Sequence, residues 1–215
     1  MTTRSHHDNV EKQFGSQASA YLTSAVHASG RDLQRLAERL ADFPQAKVLD
    51  MGCGAGHASF TAAGQVAEVT AYDLSSQMLE VVAAAAKEKG FSNIVTQQGY
   101  AETLPFADAS FDVVISRYSA HHWHDVGRAL REVNRVLKPG GYFLYVVPGA
   151  RHLWELKQIL YDAPYPNEEK ETPYEGFAYQ AIVPVDFFLH LESPADIQAL
   201  FRMTPYCWKT PKSGV

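Results

Sequence analysis

Apolar residues along this chain recur with two periods that alternate. Runs of strand length lie at 46–51, Val66 to Tyr72, Asn93 to Gln97, Phe111 to Ser116 and Tyr142 to Val147. Stretches with helical spacing fall between most of them. Residues 8–42 predict two helices, the second carried by Leu33, Leu36, Ala37 and Leu40. A helix is expected from about 56 and an Ala-rich one over roughly 75–89, closed by Gly90 at its C-terminus. A further helix is expected around 124–137, and Lys138-Pro139-Gly140-Gly141 predicts the turn that launches the last of these strands. Strands alternating with helices predict an α/β fold: a Rossmann-like, doubly wound, mostly parallel sheet flanked by helices.

The pattern changes after Pro148. Of 25 aromatic residues, 14 lie in 142–215, and at that density they are expected to build core. A helix is expected over Arg151 to Tyr161, then a proline- and acid-rich loop. Phe177 to Leu191 predicts a strand interrupted by Pro184, an edge or a bulge. Ser193-Pro194 predicts the cap and first residue of a short helix through Phe201. With 215 residues the chain suits one domain. Its expected parts are N-terminal lid helices over 1–45, a ligand-binding core over 46–147 and a tail over 148–215.

Bulk properties remove several classes of function. No apolar run reaches the ~20 residues of a membrane span, so no membrane partner is expected. Two cysteines, Cys53 and Cys207, exclude a disulfide scaffold and point to a reducing, cytoplasmic setting. The net charge of −5 gives no electrostatic reason to bind nucleic acid.

The chemistry concentrates at Val48-Leu49-Asp50-Met51-Gly52-Cys53-Gly54-Ala55-Gly56. An apolar strand ends in an acid, and three glycines then alternate, which lets a ligand approach the backbone of a strand-to-helix turn. The G-x-G-x-G spacing differs from the G-x-G-x-x-G of dinucleotide sites and argues against a nicotinamide dehydrogenase. Asp73 lies 21 positions after Gly52 at a strand end, where a carboxylate can accept two ribose hydroxyls.

With Asp50, this turn resembles motif I of the class I methyltransferases, which bind S-adenosylmethionine. Gly99-Tyr100-Ala101-Glu102-Thr103-Leu104-Pro105-Phe106, Ser110-Phe111-Asp112-Val113-Val114, His121-His122-Trp123 and Leu137-Lys138-Pro139-Gly140-Gly141 resemble segments of the UbiE-like small-molecule methyltransferases. Phe14 to Tyr21 is similar to that family's lid helix, so the resemblance spans about 8–141. The family often has Asp where Tyr100 stands. The turn, the acidic strand end and the resemblance together imply a cofactor site drawn from Tyr21, Asp50, Gly52, Cys53, Gly54, Gly56, Asp73, Leu74, Met78, Ala101, Glu102 and Arg117. A small-molecule acceptor is the implied partner, with a monomer or weak dimer expected.

His121, His122 and Tyr118 follow the fourth strand, at the rim where such sheets bind ligands, and are the catalytic candidates. A neutral imidazole could take an acceptor's proton, or these histidines could shape the wall or cap the next helix. Adjacent histidines are poorly spaced to share a metal, and none is expected.

Pro148 to Lys157 and Met203 to Lys209 resemble the C-terminal part of bacterial 23S rRNA guanine-N1-methyltransferases. That family's zinc module is not matched by the cysteine-free N-terminus, and residues 151–215 carry six basic against nine acidic side chains. The chain ends before that family's closing strand, so the sheet is expected to lack its last strand. A junction near Lys138–Gly141 would explain the aromatic shift, making a recombined or engineered chain one expectation. Three functions follow: methyl transfer to a small molecule, rRNA guanine-N1 methylation, or a hybrid that binds cofactor without turnover.

Overall fold

The computed structural model describes residues 30–169, 173–188, 190–191, 193–202 and 204. The first helix expected within 8–42 and the lid, with Tyr21, lie outside the described residues, as does Met203 to Lys209 except for Thr204. The elements run α1 (Arg31–Leu40), β1 (Lys47–Met51), α2 (His57–Ala63), β2 (Glu68–Asp73), α3 (Ser76–Glu88), β3 (Ile94–Gln98) and β4 (Phe111–Arg117). A 3-10 turn (Ala120–His122), α4 (Val126–Val136), β5 (Leu137–Val146), α5 (Trp154–Leu160) and α6 (Pro194–Arg202) complete them.

The five strands form one sheet in the order β3-β2-β1-β4-β5, and every pairing is parallel. The expected fold class is borne out, and among the described residues no strand follows β5. Both faces of the sheet are covered, as a parallel sheet requires. Val48, Val69, Val113 and Ile115 meet Leu33, Leu36 and Leu40 of α1 and Ala58 and Ala62 of α2. Their sequence neighbours Leu49 and Val114 point the other way, toward Val133 and Val136 of α4. The side-chain period of two explains why the central strands read as continuous apolar runs.

Local chemistry sets the element ends. Ser75 caps α3 by accepting from Met78 N at 3.3 Å, and Gly90, at φ +76, follows it. Asp125 caps α4 by accepting from Arg128 N at 2.9 Å, so an aspartate and not one of the histidines does this work. Ser193 Oγ accepts from Asp196 N at 3.2 Å and opens α6 as expected. At β5 the register jumps from Phe111↔Leu137 to Val113↔Tyr142, and the expected turn bulges out with Gly140 at φ +78.

The tail corrects two expectations. Residues 177–188 and 190–191 form no strand. Pro184 lacks a donor there, and the segment's aromatics are spent on the face of β5: Phe177 meets Phe143 at 5.6 Å, while Tyr174 meets Tyr145 at 6.2 Å. The tail aromatics build core only at its margin, where Tyr142, Phe143 and Phe177 pack, partly buried, against it. None of those described is buried, and Phe188 is 96% exposed, because a row along an edge strand has only one side to pack against. The tail is nonetheless tied to the rest. Asn134 Nδ2 donates to Gly176 O at 2.9 Å, and Arg31 Nη1 to Asp186 O at 3.4 Å.

Candidate functional site

Strand order reverses between β1 and β4, so the loops leaving their carboxyl ends diverge and leave a crevice. A cavity of about 1050 Å³ opens there. It lies where the glycine turn after β1 faces the Tyr118–Trp123 loop after β4.

The turn is hooked to β2. Gly52 N and Cys53 N both donate to Tyr72 O, at 2.8 and 3.1 Å. All three glycines have positive φ: +74, +52 and +86. Their surroundings differ. A Cβ on Gly52 would lie 2.5 Å from Ser119 Cβ, and one on Gly56 would lie 2.9 Å from Val82. Gly54 alone of the three faces open space. The outer glycines therefore permit close packing, while the middle one leaves room for a ligand. Gly56 is set back from the cavity wall, unlike Gly52, Cys53 and Gly54.

Asp73 fastens this turn to α3. One carboxylate oxygen accepts from Gly54 N at 2.8 Å and the other from Ser75 N at 2.9 Å. Burial raises its pKa, opposed by those two donors. Asp50 is 1% exposed. Its Oδ2 accepts from Ser59 Oγ at 2.6 Å, while its Oδ1 is buried without a hydrogen-bond partner. Burial pushes its pKa up to about 6. Cys53 is buried and its thiol is pushed up by desolvation, so it is an inert wall residue.

Asp50 gives a stability prediction. Its folded-state pKa lies above its ordinary value of 3.8, so the folded chain holds this proton more tightly. The stability it contributes is full at low pH and is lost as pH rises from about 4 through about 6. Asp50→Asn should thus gain on the wild type by about 2 kcal/mol between pH 4 and pH 7.5. Thermal melts of both proteins across that range check the difference.

The remaining expected cofactor residues surround the turn. Leu74, Met78, Ala101 and Tyr100 line the cavity, and Tyr72 Oη donates to Tyr100 O at 3.1 Å. Glu102 also lines it, but its Oε1 accepts from His124 N and Asp125 N, at 2.7 and 3.1 Å. That carboxylate braces the histidine loop. Arg117, at the end of β4, is held by Asp32 of α1, whose Oδ2 accepts from Arg117 Nε at 2.5 Å.

The three catalytic candidates meet at the same wall. Tyr118 holds φ +54, with the Arg117 guanidinium 4.8 Å from its ring centre. The rings of His121 and His122 lie 3.7 Å apart. Among the described residues no group of three His, Cys, Asp or Glu is arranged to hold a metal ion.

Sequence reasoning missed two wall residues. His152 sits with its ring 5.6 Å from that of Tyr118, and burial lowers its pKa. Lys157 is 1% exposed and donates to Tyr165 O and to Asn167 Oδ1, at 3.0 and 2.7 Å. Its place on a short helix gave no sign of burial. The loop at 165–167 closes over it.

Residues 49–145 match the family described as the methyltransferase domain. That segment is a methyltransferase domain. The crystal structure of the YcgJ protein from Bacillus subtilis superposes with a TM-score of 0.54 at 42% identity, covering 60% of this chain and 55% of that one. Demethylmenaquinone methyltransferase from Lactococcus lactis is 35% identical over 146 residues, 65% of this chain and 58% of its own. YxjB of Bacillus subtilis, whose name proposes a 23S rRNA (guanine-N(1)-)-methyltransferase, is 32% identical over 177 residues, 78% of this chain and 58% of its own. Both family resemblances read from the sequence thus reappear among the relatives. The chain spans about half the length of the curated relatives it matches. No helix among the described residues is long and apolar enough to cross a membrane.

Proposed function

We propose that this chain binds S-adenosylmethionine at the glycine turn and directs its methyl group to a small-molecule acceptor. The observation that carries this is the pairing of an open Gly54 with Asp73 and Asp50 around one large cavity at the sheet's switch point. The donor set fits that cofactor. Asp73 sits where a carboxylate can take ribose hydroxyls. Asp50, buried with one oxygen lacking a partner, suits a cationic group. Leu74, Met78 and Ala101 would flank the base, and Tyr21 would close the site from the lid. Bound there, the cofactor would supply an electrophilic methyl group.

The chain's own residues then position and exclude. Methyl transfer needs the acceptor held in line and water kept out, so placement supplies most of the rate. Tyr118, His121 and His122 form the wall that would orient the acceptor. A neutral imidazole there would accept a proton from an acceptor that must lose one.

A second reading, methylation of 23S rRNA, is favoured by the match to YxjB, which runs well past β5. The acidic tail opposes it, since phosphate binding needs clustered Lys and Arg. A hybrid that binds cofactor without turnover is the third reading, prompted by the aromatic shift after β5. Methyl-labelled S-adenosylmethionine, offered with a small-molecule extract and separately with protein-free ribosomal RNA, separates the three. Label in the small-molecule arm supports the proposal, label only in RNA selects the second reading, and label in neither selects the third.

A further inference from the structure

The cavity's apolar lining changes character from one side to the other. Leu74, Met78 and Ala101 give the side beside β2 and β3 aliphatic surface. The chain beyond β4 contributes rings instead: Tyr118, Trp123, Tyr145, Tyr165 and Phe187.

Two of these rings form a platform. Those of Trp123 and Tyr145 lie within 18° of parallel, with their centres 6.5 Å apart. Phe143 continues the row on Tyr145, again at 18°, with centres 5.1 Å apart. Tyr174 meets Tyr145 by its edge, at 77° and 6.2 Å. Near-parallel offset faces and edge contacts are the arrangements that aromatic rings favour, so the row holds its own orientation. Phe143 anchors it in the core, and Trp123 and Tyr145 carry it to the cavity wall. The backbone beneath is fixed as well. Tyr145 stands in β5 opposite Ser116 of β4. Trp123 N donates to Ala120 O at 3.2 Å, and Glu102 braces the two residues that follow. A ligand docking here meets rings already in place, at little cost in side-chain freedom. Trp123 also belongs to the loop that faces the glycine turn, the side from which an acceptor would meet the methyl group.

Resting on the methyltransferase reading, we propose that the small-molecule acceptor presents a planar aromatic ring, which stacks on the platform formed by Trp123 and Tyr145. A flat ring extends the row by the same offset contact that already joins its members. A saturated ring of equal size is puckered and meets the same faces through fewer atoms.

Benzyl alcohol and cyclohexylmethanol are the probes, since both are neutral and carry the same hydroxymethyl group. Each is titrated calorimetrically into the full chain at pH 7.5, with saturating S-adenosylhomocysteine occupying the cofactor side. Burial alone favours cyclohexylmethanol, whose ring is the more apolar. Stacking reverses that order, and benzyl alcohol should bind at least about threefold more tightly. Tyr145→Leu should bring the ratio to one or below in a protein shown to be folded by circular dichroism. Equal binding of the two alcohols, tighter binding of cyclohexylmethanol, or no heat from either would each overturn the proposal. So would a preference that survives in folded Tyr145→Leu, because the ring would then dock elsewhere. If that variant does not fold, Trp123→Leu takes its place, and if neither folds the wild-type ratio decides alone. Failure of the methyltransferase reading shows separately, as wild type that binds no S-adenosylhomocysteine. The two alcohols titrated without it then still decide whether the platform takes a flat ring.

Discussion

Asp73→Ala is expected to weaken S-adenosylhomocysteine binding by about two orders of magnitude, with the fold intact by circular dichroism. The side chain does two jobs at once. Its oxygens accept from Gly54 N and Ser75 N, which holds the glycine turn against the start of α3. On the proposed reading it would also take the ribose hydroxyls. Hydrogen bonds to a charged acceptor are worth about 1.5–3 kcal/mol each, and about 1.4 kcal/mol is tenfold in affinity. Losing the ribose contact and slackening the turn together gives the hundredfold figure. Asp73→Asn should fall between, because its oxygen can keep one backbone donor while its amide opposes the other. An Asp73→Ala protein with wild-type affinity would remove Asp73 from the site.

Gly52→Val and Gly54→Ala should fail in opposite ways. At Gly52 the new Cβ would stand 2.5 Å from Ser119 Cβ. Ser119 cannot easily retreat, since its hydroxyl bonds Met51 O at 3.1 Å and pairs with Ser116 Oγ at 2.7 Å. Left-handed backbone costs a side-chain-bearing residue about 1–2 kcal/mol, and overpacking typically adds about 1–3. The sum, about 2–5 kcal/mol, corresponds at mid-range to a Tm loss of about 10 °C for a chain of this size. At Gly54 nothing lies within 4 Å of the added methyl, so only the backbone cost of about 1 kcal/mol applies. That methyl points into the space a ligand would use. Gly54→Ala should therefore keep its Tm within a few degrees, yet lose about tenfold or more in S-adenosylhomocysteine affinity. Differential scanning calorimetry and titration on the same samples read both quantities. Equal Tm losses would mean that the two glycines serve one steric purpose.

Much of this was legible in the sequence, for physical reasons that differ by element. The strands were readable because both faces of β1 and β4 are buried, which makes their apolar runs continuous. The turn was readable because three positive φ angles in five residues leave almost no choice but glycine. Asp73 followed from its distance along the chain. What stayed hidden depends on contacts far apart in sequence. Asp32 and Arg117 are separated by 85 residues, and a lone Asp on an amphipathic helix reads as solvated. Glu102 sits in a motif suggestive of cofactor contact, but the folded chain turns its carboxylate to the backbone of His124 and Asp125. The strand expected over Phe177 to Leu191 failed because β-propensity measures fit to a half-buried surface. Here the aromatics found that surface on β5 without pairing their backbone. Lys157 reads as an ordinary solvent-facing lysine until Tyr165 and Asn167 are seen to cover it.

On the proposed reading, the turn at Gly52–Gly56 is a site for an adenosyl cofactor without a pyrophosphate. Calorimetric titration of the wild-type chain with S-adenosylhomocysteine, with NAD as the control, tests it most directly. One molecule of S-adenosylhomocysteine should bind per chain, with no heat from NAD. Binding of NAD in its place, or silence with both ligands in a chain shown to be folded, would contradict it.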